Sequence, residues 1–100
     1  ILQDYLIWSN KLEAISALTF SQLTQLYKAT IDEYNRFNNC DWKANWNDVK
    51  QLRYCIVRVK DTLKIMVRIC VYDFFVFPTK DLAKMFLNYH KKLLMQYYEL

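Results

Sequence analysis

Apolar side chains recur at steps of three and four over much of this chain. Leu2, Tyr5, Trp8, Leu12 and Ile15 predict a helix near 1–18. Thr19 stands three residues before Gln22, the spacing of a capping box, and predicts a second helix start. Phe20, Leu23, Leu26, Tyr27, Ile31, Tyr34 and Phe37 then hold one face of a helix near 20–37. Asn38-Asn39 follows, and Asn tolerates the left-handed backbone of a helix end better than any residue but glycine. Near the other end, Pro78 interrupts the chain and Thr79 is positioned to cap a helix over 79–99. Its stripe is Leu82, Phe86, Tyr89, Leu93, Tyr97 and Leu100.

Residues 49–77 fit two periods at once. As a helix near 47–73, with Asn47 as cap, Val49, Leu52, Ile56, Val59, Leu63, Met66 and Cys70 lie within about 100° of arc. Lys50, Arg53, Lys60, Lys64 and Arg68 gather on the other side. As strands, the odd positions from 55 to 71 except 61 are all apolar and alternate cleanly, and β-branched residues are dense. The turn chemistry weighs against that hairpin. A two-residue loop at Asp61-Thr62 pairs Val59 with Lys64 and mixes apolar with charged side chains on one face. A three-residue loop wants left-handed backbone at Thr62, a β-branched residue.

Composition tips this choice. The 100 residues contain no glycine, where about 7 are usual, and a single proline. Tight turns are therefore expensive, and the pattern predicts an all-α, four-helix bundle-like single domain over 1–100. The alternative is α+β, with a β-hairpin at about 54–72 packed on three helices. The hydrophobic fraction of 54 % supports a folded core rather than disorder. The chain opens on Ile1 rather than Met and ends in mid-pattern at Leu100, which reads as a domain cut from a larger protein.

Charge and cysteine usage narrow the setting. Residues 1–48 carry 4 basic and 6 acidic side chains, and residues 49–100 carry 10 and 4, so the net +4 comes from the second half. Cys40, Cys55 and Cys70 are odd in number and widely spaced, which is not a disulfide framework. An intracellular setting, cytoplasm or nucleus, is the expectation, and the AT-rich-codon residues also admit a viral source. Arg58, Lys60, Asp61, Lys64 and Arg68 exclude a simple membrane span in the apolar middle of the chain.

The residues that carry chemistry point away from catalysis. His90 is the only histidine, so a tetrahedral metal site lacks ligands. Phosphate-cradling loops need glycine, the serines lack a nucleophile elbow, and a Cys40–His90 pair has no supporting pattern. No enzyme, cofactor or metal is expected. The basic stripe Lys50, Arg53, Lys60, Lys64, Arg68 reads as a solvated helix face or as an anion-binding one, which Lys80, Lys84, Lys91 and Lys92 would widen. Trp42 and Trp46 flank Lys43 in a polar loop, and read as caps on the core or as interface anchors. Val57, Ile65, Ile69 and Val71 exceed what one helix stripe buries.

One resemblance implies the same architecture. Trp8, Leu12, Glu13, Ser16, Leu18 and Phe20, with KDLAKMFLNYHKKL near the end, are similar in pattern to the four-helix FRB-type domain of the large lipid-kinase-like protein kinases. The Gly-Arg-Asp motif of that family is missing from WNDVKQLRYCIV, and no residue role carries over. The expected function is a non-enzymatic protein–protein interaction module of a larger intracellular or viral assembly. It would bind a protein partner or a second copy through a hydrophobic helix face or groove rimmed by basic residues. The alternative is nucleic-acid binding through the basic face of the third helix.

Overall fold

The computed structural model describes the backbone at 2–45, 47–48, 50–68 and 75–99, and side chains at 17–45, 47–48, 50–67 and 75–99. The fold is α+β, not a four-helix bundle. In chain order it runs α1 (Leu2–Asn38), β1 (Arg53–Val59), β2 (Thr62–Arg68), β3 (Val76–Phe77), α2 (Lys80–Tyr89) and α3 (Lys91–Tyr97). The three strands form one antiparallel sheet in the order β2-β1-β3.

The two helices expected at 1–18 and 20–37 are one helix of 37 residues, about 55 Å long, which spans the molecule's long axis of 55 Å. No glycine or proline interrupts Ala17-Leu18-Thr19-Phe20. A capping box satisfies amides only where a helix starts. Thr19 is instead buried in the helix interior. The end is as predicted. Asn39 has φ 50, its amide bonds the Arg36 carbonyl at 3.4 Å, and the Cys40 amide bonds the Asn35 carbonyl at 2.9 Å. These two bonds make a complete Schellman motif with Asn in the glycine position.

The third predicted helix, 47–73, does not form. Its described residues are a loop and the β1–β2 hairpin. The connecting loop is Lys60-Asp61, with Val59 opposite Thr62. That register lies one residue away from the loops that looked unfavourable. It puts Tyr54, Ile56, Leu63, Ile65 and Val67 on one face, with Arg58 at its end. Arg53, Cys55, Val57, Val59, Thr62, Lys64, Met66 and Arg68 take the other. Lys60 has φ 56, so it accepts the positive dihedral that glycine usually supplies. The cost, about 1–2 kcal/mol, is less than a seven-residue ladder and one buried sheet face return.

The helix predicted over 79–99 is two helices that meet at His90 (φ −119, ψ 28). Thr79 caps α2 as expected, its Oγ1 accepting the Leu82 amide at 3.1 Å. The bend turns Tyr89 outward and lays the His90 ring on Phe86, 4.7 Å between centroids. Burial lowers the His90 pKa.

Leu23, Ile56, Phe75, Phe77, Ala83, Phe86 and Leu94 form the buried core, where α1, α2 and α3 meet the inner face of the sheet. Tyr27 stands in it, 5.7 Å from the Phe75 ring, 5.3 Å from Phe77 and 6.4 Å from Phe86. Its hydroxyl donates to the Val76 carbonyl. Burial pushes its pKa up to about 12.

Two outcomes follow from these contacts. Lys60→Gly relieves the turn and is expected to raise stability by about 0.5–1 kcal/mol, read as a higher melting temperature. Tyr27 is neutral in the fold and ionises more easily once unfolded. Its contribution is therefore complete below about pH 10 and lost as pH climbs from there towards 12. Urea titrations across that range should show a steeper loss for the native protein than for Tyr27→Phe.

Candidate functional site

The loop after α1 is pinned by side-chain bonds. The Asn35 carboxamide clasps the Trp42 backbone: Oδ1 accepts its amide at 2.9 Å and Nδ2 donates to its carbonyl at 3.2 Å. Trp42 is thereby half-buried against the end of α1. Asn45 and Asp48, rather than Asn47, cap the turns that follow. Their carboxamide and carboxylate oxygens accept the amides of Asn47 and Lys50 at 3.1 and 2.9 Å.

Arg53 leaves the expected basic surface altogether. It is 1 % exposed, and its guanidinium donates to the Asn45 carbonyl at 3.0 Å and to Gln51 Oε1 at 3.1 Å. Gln51 also accepts the Asn45 amide at 2.7 Å and donates to the Lys43 carbonyl at 2.8 Å. Arg53 and Gln51 thus fasten the loop to the base of β1.

The remaining predicted cations are not one stripe, because the helix that would align them is absent. Lys50 is exposed on the loop and Lys60 on the hairpin turn. Lys64 is exposed on the outer face of β2, and Arg68 ends that strand opposite Arg53. The Arg68 side chain and Trp46 lie outside the described residues, as do Ile69, Cys70, Val71 and Tyr72. Lys60, Lys64 and Arg68 share the hairpin. Lys50 does not join them.

The two sides of the sheet end differently. Beyond the two residues of β3, the Ile56 carbonyl accepts the Tyr98 hydroxyl at 2.8 Å. Arg58 reaches the same corner, donating to the carbonyls of Lys60 at 2.9 Å and Tyr98 at 3.0 Å. On the opposite side β2 is an edge. In a two-residue hairpin the pair next to the loop is hydrogen-bonded and the pairs alternate from there. Lys64 and Met66 therefore bond β1, while the amides and carbonyls of Leu63, Ile65 and Val67 point away from it. Among the described residues no strand pairs with that side.

Below the edge runs a groove between β2 and the α2–α3 bend, lined by Asp61, Thr62, Leu63, Leu87, Asn88, Lys91 and Met95. Farther along β2, Met66 is 43 % and Val67 50 % exposed, on opposite faces of the sheet. A second groove, between α1 and α2, exposes Phe37 and Met85. Its charged lining residue is Glu33, so it lacks a basic rim.

Among the described residues no cluster of three His, Cys, Asp or Glu side chains is placed to hold a metal, and no helix is long and apolar enough to cross a membrane. Comparisons with protein-family models, curated proteins and solved structures find no match for this chain.

The burial difference between two predicted site residues makes a direct contrast. Arg53→Ala strips donors from the Asn45 carbonyl and Gln51 and is expected to cost about 2–4 kcal/mol in urea denaturation. Lys64→Ala, on the surface, should stay within about 0.5 kcal/mol of the native protein.

Proposed function

We propose that this chain is a non-enzymatic protein-interaction module of a larger intracellular assembly, and that it receives an extended segment of its partner along the edge of β2. One observation carries this reading. A seven-residue strand turns the amides and carbonyls of Leu63, Ile65 and Val67 outward, and at its turn end lies a groove lined by Leu63, Leu87 and Met95 with Asp61 and Lys91. Strand addition uses those main-chain groups for affinity and the flanking groove for side-chain selection. Edge strands left open in this way are otherwise a hazard for aggregation, and proteins commonly blunt them.

Nucleic-acid binding through a basic helix face is the second reading, and the geometry of the cations favours it less. The helix face that would have collected five cations is replaced by a hairpin that buries Arg53 and separates Lys50 from the rest. Lys60, Lys64 and Arg68 remain together on that hairpin and keep the alternative open to test.

Selection of displayed random peptides on the protein tests the reading. Val67→Pro removes one outward amide while the ladder to β1 keeps its bonds through Lys64 and Met66. Selected peptides are expected to lose roughly tenfold or more in affinity for this variant, with the fold intact by circular dichroism. Peptides indifferent to Val67→Pro contradict edge docking. Failure to select any peptide, together with affinity for an oligonucleotide that disappears when Lys60, Lys64 and Arg68 are all changed to Glu, favours the nucleic-acid reading instead.

A further inference from the structure

We infer that the segment received by β2 alternates apolar and acidic side chains. This rests on the reading of the β2 edge as the docking site. A strand added there continues the pleat of the sheet, so its successive side chains fall on opposite faces. Those facing inward lie beside Leu63, Ile65 and Val67, and at the turn end they meet the groove that Leu63, Leu87 and Met95 line. That side accepts apolar groups. Those facing outward lie beside Thr62, Lys64, Met66 and the Arg68 position.

Charge decides what the outward side chains are. On that side the hairpin holds Lys64, with Lys60 in its turn and Arg68 as the last residue of β2, against one acid, Asp61. Directly opposed side chains on neighbouring strands stand about 4.5–5.5 Å apart, close enough for opposite charges to attract and like charges to repel.

A second copy of this chain fits less well. Two-fold pairing about Ile65 sets Lys64 against Met66 of the other copy and Thr62 against Arg68. It gathers the same cations from both edges and brings no compensating acids beyond the two Asp61 side chains. A segment carrying Glu or Asp at every second position answers those cations and keeps its apolar side chains on the inward side.

Fluorescence anisotropy with three labelled peptides of about nine residues, enough to span β2, tests the inference. One alternates Val with Glu, one Val with Ser and one Val with Lys. The Val–Glu peptide is expected to bind about tenfold tighter than Val–Lys at low salt, with Val–Ser between them. The gap should narrow in high salt, and the order should reverse in the double variant Lys60→Glu, Lys64→Glu. Binding of all three should weaken in Val67→Pro. Equal affinity for the three, still lost in Val67→Pro, overturns the charge pattern and leaves edge docking standing. Binding of none overturns both. A dimer in light scattering that Val67→Pro converts to monomer makes a second copy the occupant and also overturns the inference.

Discussion

The hydrogen bond from the Tyr27 hydroxyl to the Val76 carbonyl sets the plan of this molecule. It joins the middle of α1 to a strand of only two residues, inside a cluster of aromatic rings. Strands that short have little pairing energy of their own. Phe75 and Phe77 flank the carbonyl and bury against Tyr27 and Phe86, so β3 is held by its side chains as much as by its ladder. With β3 fixed there, β1 becomes the central strand and β2 is left outermost.

The consequence is a sheet with one side closed and one side open. Tyr98 and Arg58 cover β1 where β3 stops, using a hydroxyl and a guanidinium in place of a longer strand. On β2 the amides and carbonyls of Leu63, Ile65 and Val67 meet no strand among the described residues. Lys64 gives that edge some protection against indiscriminate pairing, since a cation discourages like-charged strands. The same residue biases what is admitted. Specificity here comes from what the edge repels as well as from what it attracts.

Much of this was legible in the residues, and the errors have physical causes. The face from Phe20 to Ile31, the left-handed Asn39 and the Thr79 cap are local features with local reasons, and they stand. Thr19-Phe20-Ser21-Gln22 has a capping-box spacing, but an uninterrupted helix satisfies those amides with its own carbonyls. Residues 53–68 satisfied two periods equally well, and the lack of glycine tipped the choice to helix. Lys60 at φ 56 shows why that failed: the turn's strain is small beside what the hairpin buries. The candidate site divides in the same way. Lys60 and Lys64 are surface cations on the hairpin, whereas Arg53, also a cation, is drawn inward by Asn45 and Gln51, which its guanidinium donors reach together. The outward amides of β2 carry no side-chain signature and emerge only once the register is known.

That register, and the open edge it creates, is the central claim, and residue-resolved hydrogen exchange on the isolated protein tests it most directly. The account predicts slow exchange at the Lys64 and Met66 amides, which bond β1, and fast exchange at Leu63, Ile65 and Val67 between them. Uniform protection across all five would mean that something already pairs with the edge, and the reverse alternation would mean that the hairpin is shifted by one residue. Either result would contradict the account.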